Sequence, residues 1–313
     1  MILVTGATGF VGRRVVERLA SNRKNVRALT RGGGAAMLPW GVKIAVGDVL
    51  DPKSLTSAMQ GVDAVVHLVA VIREIGDRTF QRVNYEGTKN VLEAAKKAGA
   101  DRVVCVSTVG STSDPEVPYL YSRWMGEQEI ARSDLDCTVI RFTIGFGEGD
   151  EFVNRLAALV KMSPLTPVVG DGKSVFQPIS ADDVARCVVE SIERYDLEGK
   201  TVDIGGPDYY TYDELVDLVA ETLGVKVAKV HVPECVMTPA ATVMESISPS
   251  PPVTREQLKM IAVGENTSLD SVERNFGFRP LPVRGNIDYI KKISIGDAMR
   301  MNLGYMPTHI RDH

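Results

Sequence analysis

No apolar run in this sequence approaches the ~18 residues needed to cross a bilayer as a helix, so no transmembrane helix is expected. There is no surplus of basic charge either. The 36 Lys and Arg residues are outnumbered by 40 Asp and Glu, giving a net charge of −4 and an isoelectric point near 5.7. That balance argues against nucleic-acid binding, which needs a concentrated basic face. Cysteine is sparse. Cys105, Cys137, Cys187 and Cys235 are far apart and form no Cys-x-x-Cys pair. Cys105 and Cys137 sit in apolar, strand-like runs, so reduced and buried thiols in a cytoplasmic protein are expected. The four histidines, His67, His231, His309 and His313, show no ligand spacing, and no metal site is expected. Met1 leads straight into an apolar stretch, so no targeting segment is expected.

The first dozen residues carry the strongest positive signal. Ile2 to Val4 form a short apolar, β-branched run, the mark of a buried strand. Gly6, Gly9 and Gly12 follow at three-residue intervals, and then Val15, Val16 and Leu19 recur at helical spacing. A tight strand-to-helix turn of this kind lets the backbone approach a pyrophosphate. The helix N-terminus then offers free N–H donors and partial positive charge. The same glycines would also suit an ordinary βα turn.

Asn25 to Thr30 reads as a second strand ending at Arg31, about 20 residues past the glycine turn, with no acid nearby. An acid at this place binds the 2′-hydroxyl of NAD, whereas an arginine accommodates the 2′-phosphate of NADP. Arg31, with Arg13 as a second cation, therefore favours NADP(H) over NAD(H). Asp48, after a third strand at Val42 to Val46, either accepts from an adenine amino group or caps its turn. Ala64 to Val71 reads as a central strand in which His67 is a core residue. A helix at Thr79 to Ala98, a strand at Val103 to Val106 ending in Ser107 and Thr108, a helix at Tyr119 to Ala131 and a strand at Thr138 to Phe142 complete the alternation. This order specifies an α/β fold, a doubly wound parallel sheet of the Rossmann type. Ligands in such sheets bind outside the carboxyl ends of the strands.

Residues 1–145 are thus expected to form a dinucleotide-binding core. Residues 146–313 are expected to return partly to that core, through Val175 to Ile179, a helix opened by Ser180 and a strand at Thr201 to Ile204, and otherwise to form a smaller substrate or partner lobe. The proline-rich 248–252 and the helix start at Thr254, within 233–263, suggest a substrate lobe or a lid. The methionine-rich stretch from Ile295 shows no clear period.

Together, Thr5-Gly-Ala-Thr-Gly-Phe-Val-Gly12, Gly47-Asp48, Asn84-Tyr-Glu-Gly-Thr-Lys-Asn90, Val106-Ser-Thr108, Phe176-Gln-Pro-Ile179 and Asp182-Asp-Val-Ala185 resemble the extended or atypical branch of the short-chain dehydrogenase/reductase superfamily. Arg141 to Asp150 and Phe152 to Leu156 look like the group around the dehydrogenase-like accessory subunit of respiratory complex I, which includes bacterial epimerase/dehydratase-like relatives. The resemblance implies a dinucleotide held by Gly6, Thr8, Gly9, Phe10, Val11, Gly12, Arg13, Arg31, Asp48, Val49, Leu68, Val69 and Ala70, with Tyr119 and Arg123. It implies hydride transfer at a carbonyl, as a reductase or an epimerase/dehydratase. The alternative is an NADPH-binding structural or regulatory protein of a respiratory or other complex, peripheral at a membrane. A homodimer is common in the superfamily.

The superfamily's chemistry uses a tyrosine as acid/base, a lysine four residues later, a Ser/Thr ending the fifth strand and a supporting Asn. Tyrosine near its usual pKa of about 10 is a poor base at neutral pH unless a cation stabilises its anion. The resemblance carries these roles to Tyr119, Arg123, Thr108 or Ser107, and Asn84. The competing tyrosine, Tyr121, would put Met125 at the lysine position. Arg123 departs from the pattern: it keeps the charge and can bind a ribose, but it releases no proton.

Overall fold

The computed structural model describes residues 1–32, 34–247, 254–263 and 266–311; Gly33, the proline-rich 248–252 and His313 lie outside the described residues. The chain divides into two units. The first takes Met1–Phe142, Ala181–Ile204 and Asn275–Gly277.

This first unit is built on seven parallel strands. In chain order it contains β1 (Ile2–Thr5), α1 (Phe10–Ser21), β2 (Val26–Thr30), β3 (Lys43–Val46), α2 (Pro52–Ala58), β4 (Ala64–His67), α3 (Gly87–Ala98), β5 (Arg102–Thr108), α4 (Pro118–Arg132) and β6 (Asp136–Phe142). The helix Ala181–Ser191 and the strand Thr201–Ile204 complete it. Across the sheet the order is Thr201–Ile204, β6, β5, β4, β1, β2, β3. The order reverses at β1, between β4 and β2. That is the switch point where a doubly wound sheet leaves a crevice beyond its strand ends.

Burial explains the composition of these strands. Leu3, Val4, Val65, Val66, Val103 and Val104 are fully enclosed, as both faces of a parallel sheet demand. Edge strand β3 is the exception: Ile44 and Val46 stay exposed. The strand expected to run to Val71 stops at His67, and Leu68 to Ala70 leave the sheet toward the glycine turn. The helix expected from Thr79 begins as a wide turn at Gln81–Glu86 and becomes α-helical at Gly87.

The second unit comprises Thr143–Ser180, Gly205–Arg274 and Phe278–His313. Its core gathers Val153, Leu156, Leu215, Val219, Ile287, Ile290 and Met301. Parallel strands Leu165–Val169 and Ala228–Val232 pair in it. Pro178 interrupts the strand expected at Val175 to Ile179, leaving the two-residue strands Val175–Phe176 and Ile179–Ser180, both in this second unit rather than in the sheet. The stretch from Ile295 does have a period. Ile295–Asn302 is a helix started by a reciprocal Ser294–Asp297 capping box, and it buries Ala298 and Met301. Cys105, Cys137 and Cys187 are buried as expected, but Cys235 is exposed, because the helix Glu234–Ile247 that carries it leaves that side in solvent.

Candidate functional site

The glycine turn joins β1 to α1. Gly6 has φ +73°, where a side chain is strained, and a Cβ there would lie 3.0 Å from the Leu68 carbonyl carbon and 3.1 Å from the Val69 nitrogen. The turn is therefore pressed against the chain leaving β4. A Cβ on Gly12 would fall 2.0 Å from the Gly6 oxygen, so only glycine lets α1 start this close to the strand. Gly9 is the N-cap of α1 and brings no side-chain cap. The first-turn N–H groups of α1, including those of Val11 and Gly12, therefore keep their donor capacity. No acidic side chain stands in that turn. An uncapped, unneutralised helix N-terminus behind a glycine cradle fits a dinucleotide pyrophosphate.

The neighbouring predicted residues divide by environment. Thr8 and Phe10 are half-buried, Gly9 and Arg31 exposed. Arg13, expected as a second cation beside Arg31, is 6% exposed and lies in the interior of the fold. Arg14 sits over the Phe10 ring at 4.8 Å and donates to the Phe10 carbonyl at 2.7 Å. Asp48 follows β3, half-buried. It accepts Leu50 N–H at 3.0 Å and a two-pronged ion pair from Arg78. Desolvation would raise the Asp48 pKa, but the Arg78 guanidinium and the Leu50 N–H outweigh it and hold the carboxylate below its usual range. Val49 is buried, and its carbonyl accepts from Asn90 Nδ2 at 3.0 Å.

At the carboxyl end of β5 the catalytic candidates meet. Tyr119 opens α4, is 7% exposed and packs edge-on to Phe80 with centroids 5.8 Å apart. Tyr121 stacks on Trp124 instead. Arg123, one turn past Tyr119 on the same face, is also 7% exposed and donates to the Val106 carbonyl of β5. Its Nε is buried with no hydrogen-bond partner among the described residues, and the residue lines a small cavity with His67, Asn84, Ser107 and Glu127. Asn84 is fully buried. Its amide accepts Val71 N–H at 2.8 Å and donates to the Val71 carbonyl and to Ser122 Oγ, tying the chain after β4 to α4. Thr108 Oγ1 donates to the Val109 carbonyl at 3.2 Å.

Ser107 is drawn into a cluster that sequence reading missed. Its hydroxyl donates to Glu127 of α4, as does that of Ser111 at 3.0 Å. Arg141 of β6 clamps the same carboxylate with two prongs, Nε at 2.9 Å, and its Nη1 faces Asp203 at 3.9 Å. Arg141 stands within a quoted motif and Glu127 in the helix expected at Tyr119 to Ala131, but one-dimensional spacing gives no sign that β6 brings them together. Gly126 supports the arrangement: a Cβ there would press to 3.1 Å on the Asn84 carbonyl oxygen.

His67 is a core residue, as read. Thr88 Oγ1 donates to the Asn84 carbonyl at 2.6 Å, so it can only accept from His67 Nε2–H at 3.1 Å; His67 Nδ1 then accepts from Thr5 at 2.7 Å. Burial, reinforced by the Arg123 charge, pushes its pKa down to about 3. Among the described residues no group of His, Cys, Asp and Glu could hold a metal ion, and no helix is long and apolar enough to cross a membrane.

The chain is 28% identical over 237 residues to the ceramide reductase of Caulobacter vibrioides, covering 75% of this chain and 74% of that protein. It is 27% identical to mitochondrial NADH dehydrogenase [ubiquinone] 1 alpha subcomplex subunit 9 of Arabidopsis thaliana, over 70% of this chain and 57% of that protein. In fold it matches an NADPH-dependent quinone oxidoreductase of Escherichia coli, with a TM-score of 0.74 at 20% identity over 93% of this chain and 99% of the other. The sequence pattern of the NAD dependent epimerase/dehydratase family matches residues 2–205, which span β1 through the last strand of the parallel sheet. The chain belongs to the NAD dependent epimerase/dehydratase family, on the NAD(P)-binding Rossmann fold of the short-chain dehydrogenases.

Proposed function

We propose that this protein binds NADP(H) and works primarily by holding it. The observation that supports this reading most directly is the uncapped N-terminus of α1 behind Gly6, Gly9 and Gly12. There the first-turn N–H groups would take the pyrophosphate. Exposed Arg31, just past the end of β2, would take the 2′-phosphate. Asp48 and Val49 would border the adenine, and Leu68 to Ala70 the middle of the cofactor. The holding role rests on what the catalytic side chains already do. Ser107 serves Glu127, Asn84 serves Val71 and Ser122, and Arg123 serves the Val106 carbonyl. The likeness to a respiratory-complex subunit agrees with a dinucleotide kept for its effect on stability and assembly.

A second reading is a carbonyl reductase. It is favoured by Tyr119 and Arg123 standing one turn apart on α4, with Arg123 bonded to the Val106 carbonyl of β5, the strand that ends in Thr108, and by the likeness to a ceramide reductase. In that reading the bound nicotinamide supplies a hydride. Tyr119 would deliver its hydroxyl proton to the carbonyl oxygen, Thr108 would orient that oxygen, and Arg123 would stabilise the tyrosinate without passing a proton on.

One experiment separates the two. Thermal unfolding is followed with NADPH, NADH and neither, and NADPH oxidation is followed with a panel of aldehydes and ketones. Holding predicts stabilisation by NADPH that grows with its concentration, and no turnover. The reductase predicts turnover that Tyr119→Phe removes while the stabilisation stays. A protein stabilised by neither dinucleotide refutes both.

A further inference from the structure

Asp48 puts a negative charge where the proposed NADP(H) site must accept a phosphate. Strand register shows how close. The β2–β3 ladder pairs Thr30 with Val46, and Gly47 N–H continues it by donating to the Thr30 carbonyl at 2.9 Å. Arg31 follows Thr30 and Asp48 follows Gly47, so both lie just beyond the ends of the neighbouring strands β2 and β3. They share a strand end, and the Arg31 charge acts on the Asp48 carboxylate. A phosphate held by Arg31 alone would therefore face an opposing carboxylate, and the two local charges would cancel.

Arg78 changes that balance. It comes from a different part of the chain, the segment after β4, and a tight turn presents it. Ile75 and Arg78 exchange both backbone hydrogen bonds, at 3.3 and 3.0 Å, around Gly76 at φ +59°. The flanks are tied as well: Phe80 N–H donates to Glu74, and Arg82 donates to the Asp77 side chain. From there both Nη atoms of Arg78 reach the two oxygens of Asp48. A two-pronged guanidinium–carboxylate pair is geometrically specific and neutralises the acid. Asp48 keeps lone-pair capacity beyond these bonds and the one from Leu50, so it can still accept from an adenine amino group.

We infer that Arg78 determines specificity at the 2′-position of the adenosine ribose: by neutralising Asp48 it leaves Arg31 as an uncompensated positive charge for a 2′-phosphate. Arg78 acts through Asp48 and is a positioning residue. With it the cluster of Arg31, Asp48 and Arg78 carries one net positive charge, and without it none. The inference rests on the proposed dinucleotide site, but it concerns a change in preference, whereas that proposal concerns the binding itself.

The test is calorimetric titration of the full chain with four probes: NADPH, NADH, 2′,5′-ADP and 5′-AMP. Arg78→Gln should lower the NADPH-to-NADH affinity ratio about tenfold, the effect of one partly screened charge near a phosphate. The 2′,5′-ADP-to-AMP ratio should fall equally. Adding Asp48→Asn to Arg78→Gln should restore most of both ratios, and Arg78→Lys should keep them. Equal weakening of all four probes by Arg78→Gln, or a double variant no better than the single, overturns the inference in favour of a purely structural turn. A wild-type protein that prefers NADH but still shows the tenfold change overturns the NADP(H) reading and leaves this inference standing. Binding of none of the probes overturns both.

Discussion

Replacing His67 with glutamine should flatten the acid side of the stability curve, and the size of that effect follows from the site. In the folded protein His67 is neutral. It is enclosed between β1 and the Asn84–Thr88 turn, with Arg123 nearby, and its pKa falls from 6.5 to about 3. In the unfolded chain it titrates near 6.5. Above that pH neither state binds the proton, so His67 contributes its full share to stability. As pH falls below 6.5 the unfolded state gains a proton that the folded state refuses, and stability declines until about pH 3. Linkage puts the loss at about 2 kcal/mol by pH 5, and about 5 kcal/mol once both states are protonated. Asp150 pulls the other way. Desolvation raises its pKa to about 6, against hydrogen bonds from Tyr289, Val153, Asn154 and Gly147, so acid favours the folded form there. A wild-type curve alone would blend the two. The difference between wild type and His67→Gln isolates the histidine, since the cost of a lost Thr5 or Thr88 hydrogen bond does not depend on pH. Urea unfolding at pH 8, 6 and 5 should show wild type losing about 2 kcal/mol more than the variant between the extremes. Parallel curves would refute the claim that His67 is buried neutral.

Two further outcomes probe the turn and the polar cluster. Gly12→Ala, with its Cβ meeting the Gly6 oxygen at 2.0 Å, should abolish stabilisation by NADPH in a thermal-shift assay. Gly99→Ala, with open space around it and φ +70°, should cost about 1 kcal/mol and leave that stabilisation intact. Glu127→Ala strips Arg141, Ser107 and Ser111 of their shared acceptor and should cost roughly 3 kcal/mol, read as a fall in melting temperature of about 5 °C.

The backbone part of this protein was legible in its sequence. Alternating apolar runs and helical spacings placed β1 to β6 and α1, α3 and α4, because each strand of a parallel sheet must be apolar on both faces and each helix on one. Interruptions were harder to see. Strand β4 ends at His67 although the apolar run continues to Val71, since the backbone of Leu68 and Val69 leaves the sheet to lie against the glycine turn, and Val69 packs on the apolar cluster around Leu3. Arg13 and Arg31 look alike as isolated cations, yet helix phase buries the first and the strand end exposes the second. Pairings between distant residues were invisible. Arg78 with Asp48 and Arg141 with Glu127 depend on which strand ends adjoin, and charge spacing along the chain does not carry that information.

The same distinction separates holding a dinucleotide from using it. The proposed anion site is made of backbone N–H groups, and glycines secure its shape, so few substitutions outside the turn should remove it. Turnover needs side chains free to meet a substrate, and here those side chains are shared with the interior. Strand alternation sends Ser107 and Thr108 to opposite faces of β5, and Ser107 is spent on Glu127. Lysine would offer a compact ammonium at position 123; arginine instead carries a planar fork, and one arm is fixed on the Val106 carbonyl. Any proton that left Tyr119 would have to be replaced from solvent and not through that guanidinium. A chain built this way is expected to hold a dinucleotide under mutations that silence chemistry. On the holding reading, stabilisation by a dinucleotide, and not turnover, is therefore the quantity by which its variants should first be ranked.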